Sequence, residues 1–469
     1  MTPLSIRNLS VHRVELSSVE RIAAHEQGGD DFLGGICGFF RGGGRKHDAS
    51  STSSSSDDLT TVVLPVDVLP FTAVETGVVA PAAGGIGIRL VVEGTRYEML
   101  LRGRECRSVV LEGLRGGDQG GDDEGNDGES AVRLTVVYFP SAAVVAILSS
   151  ARLESWMADL DDSWPLSVLS IPGTHNSPTC YRALPSVRCQ AVGIPVQLRN
   201  GIRFLDIRVS ANPNDASLTL VHSIWPVSLT GSKHLRPLLQ DLYRFLESNP
   251  SESIIVSIKR EGTGKATDGQ MARHLKRDYV DARPDRWWTE AEIPTLGLAR
   301  GKLVLIRRFD TDDDMRSWAI DAHQWPDNCS DGAGGNGRFR IQDFYEVAHS
   351  QAVDSKIAFC HSQLERAAAE ELFVRETTTM PPFFVNFLSG SNFFNASCWP
   401  ERIAAKVNPA AVEYLCVKHG EEGRGPQKLK VGAAGTGIVV TDWVGANDDW
   451  DLIRCIVGMN ARLQLGAKI

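Results

Sequence analysis

The clearest periodicities lie in the second third of the chain. Residues 167 to 177 run apolar and β-prone, break at Pro172-Gly173 and then present His175, which places this histidine at the C-terminal end of a strand. Residues 201 to 209 alternate, and a period of two puts Asp206 and Arg208 on one face. A third run, 218 to 223, carries His222 at its end, and a fourth, 253 to 261, ends in Lys-Arg-Glu. Helical patterns at Leu235 to Ser248 and Asp354 to Val374 alternate with these strands. From Leu153 onward the rhythm predicts an α/β fold, a (β/α) TIM-like barrel with some distortion, occupying 151 to 469. In such a barrel the C-terminal strand ends converge, so residues distant in sequence share a pocket. The stretch Thr263 to Thr289 mixes charges at helical spacing and is expected to be a solvated helix and loop.

Residues 1 to 150 differ. The runs Leu59 to Val74, Gly87 to Arg102 and Ala131 to Tyr138 are rich in Val, Leu and Thr without helical patterns between them, which predicts a small antiparallel β-sandwich domain. Two low-complexity segments interrupt it, 41 to 58 rich in Gly and Ser and 116 to 130 rich in Gly, Asp and Glu. Both are expected to be mobile loops, because their composition buries too little apolar surface to offset chain entropy.

Composition narrows the function. The 469 residues carry 58 acidic against 49 basic side chains, a net charge of -9, which argues against nucleic acid as a partner, since duplex binding rests on clustered Lys and Arg. No apolar run reaches the roughly 18 to 20 residues of a spanning helix, and the N-terminus shows no continuous apolar core of a leader. A soluble, intracellular protein with peripheral membrane contact is expected, its oligomeric state open. Nine cysteines form no C-x-x-C pair, against a zinc module or a disulfide scaffold. Cys180 and Cys189 flank one loop, which leaves two free thiols or a bridge as alternatives. Two histidines and two cations at strand ends suit phosphoryl chemistry: one imidazole takes a proton from a hydroxyl, the other gives one to the leaving oxygen, and Arg208 and Lys259 hold phosphate oxygens.

The motifs IPGTHNS, NGIRFLDIRV, LVHS and SIIVSIKRE, followed by WPDN at 325 to 328, IQDFYEV at 341 to 347, FFVNFLSGSNFF at 383 to 394 and VVTDWV at 439 to 444, resemble in order and spacing the X-domain of phosphatidylinositol-specific phospholipase C, closest to its small bacterial and fungal members. The resemblance implies cleavage of phosphatidylinositol or a glycosylated relative to cyclic inositol phosphate and diacylglycerol. It implies His175 as general base, His222 as general acid, Asp442 as the carboxylate orienting the base, and Arg208 as the phosphate ligand beside Asp206. It also implies an inositol pocket of Lys259, Arg308, Asp343 and Tyr345, although Arg307 beside Arg308 would exchange faces with it on a one-residue slip. Asn176 departs from the bacterial pattern, which has aspartate there, and matches a calcium ligand of eukaryotic members. Two fixed cations, Arg208 and Lys259, oppose Ca²⁺ at that place, so the expectation is a metal-free site without cofactor. Phe393 and Phe394 are read either as core or as a wedge into lipid. A metal-dependent glycerophosphodiester phosphodiesterase and a catalytically silent lipid-binding protein are the alternatives.

Overall fold

The computed structural model describes residues 2–22, 61–81, 84–102, 108–111, 113, 132–370 and 380–466. The segments 41 to 58 and 116 to 130, expected to be loops, lie outside the described residues, as does the end of the helix expected to reach Val374.

Among the described residues nine strands make the N-terminal part: β1 (Pro3–Leu9), β2 (Val14–Ile22), β3 (Thr61–Val68), β4 (Thr72–Val79), β5 (Gly85–Val92), β6 (Thr95–Arg102), β7 (Ser108–Leu111), β8 (Leu134–Phe139) and β9 (Val144–Ser149). They form two sheets, ordered β4-β1-β9-β8-β7 and β3-β2-β5-β6. The strand-like run at 87 to 102 divides into the hairpin of β5 and β6, whereas the run at 59 to 74 divides into β3 and the start of β4, which pair in different sheets. Glu93 and Gly94 both take left-handed φ (47° and 75°), the conformation a two-residue turn matched to strand twist requires. One pairing departs from the antiparallel expectation: β1 and β9 run parallel. Leu4 and Ile6 of one sheet and Leu16, Val19, Ile86 and Ile88 of the other share one core.

Among the described residues twelve strands make a third sheet: β10 (Ile171–Thr174), β11 (Phe204–Asn212), β12 (Asp215–His222), β13 (Trp225–Pro226), β14 (Ile254–Arg260), β15 (Trp287–Trp288), β16 (Leu303–Arg308), β17 (Ile320–Asp321), β18 (Gly332–Gly334), β19 (Phe339–Gln342), β20 (Phe383–Phe387) and β21 (Ile438–Thr441). The order β16-β14-β11-β10-β21-β20-β19 is parallel throughout. β10, β16, β20 and β21 are buried along their whole length, the signature of a parallel sheet covered on both faces. Among the described residues no hydrogen-bonded strand pair joins the β16 side to the β19 side, so the ladder itself is not a closed barrel. Side chains span the gap instead. Arg308 from β16 lies over the Trp325 ring, 4.0 Å to its centroid, and Trp325 Nε1 donates to Asp343 beyond β19 at 2.9 Å.

Two further expectations change. His222 does not arrive on a parallel strand: β12 returns antiparallel to β11, with Asn212 opposite Asp215. Two residues make that reversal, whereas a parallel crossover needs a dozen or more. The segment 263 to 289 is not simply solvated, for Met271, Ala272, Leu275, Tyr279 and Val280 belong to the main core. The two parts of the chain also share a core, in which Leu9, Phe139 and Leu148 pack with Val407, Ala411, Cys455 and Ile456. Arg7 of β1 is buried there and donates to the Cys416 and His419 carbonyls at 2.8 and 2.6 Å.

Candidate active site

β10 delivers the first histidine. Gly173 is required one residue before its end, because a Cβ there would stand 2.9 Å from the Phe204 side chain on β11. His175 Nδ1 lies 3.0 Å from Asp442 Oδ1, at the end of β21, and Asp442 is buried. A buried carboxylate accepts, so Nδ1 carries hydrogen and Nε2 keeps its lone pair for chemistry. Burial pushes the Asp442 carboxyl up, partly offset by His175. Gln190 ties the two strand ends together, its Nε2 donating to the His175 and Thr441 carbonyls at 2.7 and 3.0 Å.

The second imidazole meets the first edge to face, ring centroids 5.8 Å apart. His222 Nδ1 donates to the Val187 carbonyl at 2.9 Å, with Cys189 Sγ at 3.7 Å. This carbonyl does the orienting that an aspartate at position 176 would do. Asn176 is buried and turns elsewhere: its Nδ2 sits 3.3 Å from His175 Nε2, its N–H donates to Asp206, and its Oδ1 has no hydrogen-bond partner. Burial, then Arg208 and His175, bring His222 down to about 4. Cys180 and Cys189 are both free thiols, which removes the bridge from the alternatives.

Both cations have carboxylate partners. Arg208 pairs with Asp206 at 3.1 Å and with Glu261 at 3.0 Å, and Lys259 meets the same Glu261 at 2.8 Å. Glu261 also accepts from the Ser223 N–H at 2.8 Å, next to His222. Burial would raise Glu261, but Arg208 and Lys259 outweigh it and hold the carboxyl near 2. Asp206 likewise lies well below its ordinary value, burial being overcome by Arg208 and Arg308. Glu261 was legible, since two residues after Lys259 puts it on the lysine's face, the rule that paired Asp206 with Arg208.

Arg308 points to the site, 3.4 Å from Asp206 and 3.7 Å from Asp343. Arg307 faces away and donates to the Trp318, Phe309 and Arg316 carbonyls. The WPDN segment holds the next loop: Asp327 accepts from Tyr345 Oη at 3.1 Å, and Asn328 Oδ1 from the Tyr345 N–H at 3.0 Å. Beneath that loop, buried Lys356 donates to the Phe344 carbonyl at 2.5 Å and to Gln342 Oε1 at 3.2 Å. Phe393 and Phe394 are 43% and 95% exposed, which sets aside the core reading, and Phe393 stacks on Trp225.

Asn176 (42°), Ser223 (55°) and Trp443 (55°) are among the non-glycine residues with left-handed φ. Each directly follows His175, His222 or Asp442. Left-handed backbone is uncommon for residues with side chains and gathers where geometry is over-determined by its surroundings.

Fold and site together define a class, α/β proteins equipped to move a proton on and a proton off beside guanidinium groups suited to an oxyanion. Residues 163–309 match the family model "Phosphatidylinositol-specific phospholipase C, X domain", so this part of the chain is similar to that domain. A 1-phosphatidylinositol phosphodiesterase of Listeria monocytogenes is 33% identical over 174 residues, 35% of this chain and 52% of that protein. The match thus spans about half of that relative's length. One from Staphylococcus aureus is 25% identical over 308 residues, 62% of this chain and 88% of that protein. A solved structure of a phosphatidylinositol-specific phospholipase C from S. aureus superposes with a TM-score of 0.51 at 22% identity, over 66% of this chain and 98% of that one. That likeness concerns the fold.

Proposed function

We propose that this protein is a phosphatidylinositol-specific phospholipase C-like phosphodiesterase that cleaves phosphatidylinositol, or a glycosylated relative, to a cyclic inositol phosphate and diacylglycerol. The observation that carries the reading is the His175–Asp442 couple facing His222 across a centroid distance of 5.8 Å, with Arg208 beside them. His175 Nε2 takes the proton of the inositol 2-hydroxyl, whose oxygen attacks phosphorus. His222 protonates the departing glycerol oxygen through Nε2, since Nδ1 is engaged by Val187. Arg208, whose guanidinium is kept charged by Asp206 and Glu261 against the opposing effect of burial, binds the phosphoryl oxygens. The arriving phosphodiester anion offsets Arg208 and raises His222 toward the protonated form that an acid needs.

Lys259, Arg308, Asp343 and Tyr345 receive the inositol ring. The strands act as a barrel whose closure rests on Arg308, Trp325 and Asp343 rather than on a ladder. Residues 1 to 150 serve as an accessory β-domain on the 151 to 469 catalytic unit. The reaction needs no metal: Asp206 and Glu261, the carboxylates next to Asn176 and Arg208, already neutralise fixed cations and offer little to Ca²⁺. Tyr181, Ile224, Trp225, Leu229, Phe393 and Phe394 are exposed apolar groups suited to a lipid surface. No described helix is long and apolar enough to cross a membrane.

Phosphorus NMR of phosphatidylinositol vesicles with the purified protein tests the reaction, with and without chelator. A cyclic phosphodiester product at equal rates in both is expected. With His175→Ala or His222→Ala, turnover falls about 10² to 10⁴-fold, and a substrate with a better leaving group rescues only His222→Ala. Equal rescue of both refutes the assignment.

A further inference from the structure

Cys189 has no part in phosphodiester cleavage, yet it lies against both histidines that do. One ring nitrogen each of His175 and His222 and the Sγ of Cys189 all lie within 4.8 Å of one another. Two imidazoles and a thiol are the donors of transition-metal sites and ill suited to Ca²⁺ or Mg²⁺, which favour oxygen. The surroundings of the trio have the form of a metal site as well. Ligating histidines almost always donate their other N–H to a carboxylate or a backbone carbonyl, which fixes the tautomer and aims the free nitrogen. His175 gives its Nδ1 hydrogen to Asp442 at 3.0 Å in this way, whereas His222 Nδ1, the nitrogen 3.7 Å from Cys189 Sγ, faces the Val187 carbonyl at 2.9 Å and exchanges that contact for the cation. Beside them, the Oδ1 of fully buried Asn176 has no hydrogen-bond partner, an oxygen donor left over on an amide that touches His175.

We propose that His175, Cys189 and His222 form an inhibitory site for a soft divalent cation of the Zn²⁺ type, which shuts the enzyme by occupying its acid and its base together. The inference rests on the acid–base reading for its consequence and on the donor set alone for the binding. On binding, the hydrated cation exchanges waters for two neutral imidazole nitrogens and a thiolate, and the Cys189 proton passes to solvent. No electron is transferred. The 4.8 Å spread must contract for bonds of about 2.0 to 2.3 Å, a movement open to side chains that end strands or sit in the loop before Gln190. Arg208 opposes the incoming charge, while Asp442, Asp206 and Glu261 favour it. The oxygen-preferring cations gain nothing from the thiol and leave activity untouched.

Titration of the full chain with Cd²⁺, a spectroscopic stand-in for Zn²⁺, reads the thiolate-to-metal absorption directly and independently of turnover. One equivalent is expected to develop the band in the wild type. Cys189→Ser should abolish it and Cys180→Ser should leave it intact. In parallel, Zn²⁺ should inhibit phosphatidylinositol cleavage reversibly on chelation, and Cys189→Ser should raise the inhibiting concentration by about tenfold or more, the lower range for losing support of a metal site. An unchanged Cd²⁺ band or unchanged Zn²⁺ potency in Cys189→Ser overturns the proposal. If Cys189→Ser does not fold, His222→Gln replaces it in the Cd²⁺ titration, with affinity expected to fall about tenfold, and equal affinity again overturns it. A band without any phosphodiesterase activity keeps the metal site and refutes only the catalytic reading.

Discussion

Phe394→Ser separates lipid engagement from chemistry in one substitution. The ring is 95% exposed and touches Phe393 edge on, centroids 5.4 Å apart, so its removal takes almost nothing from the fold. Stability should change by no more than about 0.5 kcal/mol, the range of exposed positions. In a membrane interface the same ring leaves water, and full burial of a phenylalanine is worth about 1.5 to 3 kcal/mol. Partition to phosphatidylinositol-containing vesicles should therefore weaken by about 10- to 100-fold, at 1.4 kcal/mol per factor of ten. Sedimentation with loaded vesicles measures the partition, thermal unfolding the stability, and a soluble phosphodiester the chemistry, which should not move. Phe393 differs, being half as exposed and stacked on Trp225 at 6.2 Å, three residues after His222. Its removal should disturb the acid's loop as well. Unchanged vesicle partition for Phe394→Ser, or a melting point lowered by several degrees, refutes the reasoning.

Glu261→Gln keeps an acceptor for the Ser223 N–H but removes the charge that pins Arg208 and Lys259. kcat/KM on a soluble substrate should fall by about tenfold or more, and a variant as active as the wild type would remove Glu261 from the site. Lys356→Met takes the donor from beneath the loop bearing Asp343 and Tyr345; KM should rise while kcat changes little, at a stability cost of about 1 to 3 kcal/mol for the orphaned carbonyl, and an effect on kcat alone counts against a positioning role. His361 and His419 are held near 4, chiefly by burial, against about 6.5 unfolded. Both are neutral in either state at pH 7, so their effect is absent there. As pH falls from 6.5 towards 4 only the unfolded chain gains these protons, and stability should drop by about 1.4 kcal/mol per pH unit for each. Urea midpoints equal at pH 7 and pH 5 would contradict this.

How much of the site was legible depends on whether a residue belongs to a periodic element. His175 and Lys259 stand at strand ends and Arg208 within β11, and the alternation that makes a strand also assigns its faces, so they could be placed from the sequence. Arg308 needed its register, which the facing of Arg307 supplies. Asp442 was reachable only through the family resemblance, because VVTDWV alone does not announce a partner 267 residues away. Val187, Cys189 and Gln190 lie in an irregular stretch without period, and nothing local marks a carbonyl that will orient a histidine. The direction of β12 was legible and was missed: two residues separate it from β11, which leaves room for a hairpin only. The unclosed ladder was not, since it depends on how Arg308, Trp325 and Asp343 fill a gap.

The left-handed residues directly after His175, His222 and Asp442 divide the site into what is fixed and what is exchangeable. Each of these groups is held from the strand side, and the chain turns away within one residue. The loops after His222 and Asp442 can then be lengthened, shortened or transplanted from another member without pulling on the reacting atoms, provided the turning residue stays, whereas the loop after His175 has to keep Val187 and Gln190 in place. An insertion two residues downstream of His222 or Asp442 should be absorbed, whereas one residue added upstream would turn the group to the opposite face of the sheet. Selectivity for a head group can in this way be redesigned in the loops while the proton-transfer geometry is inherited from the strands.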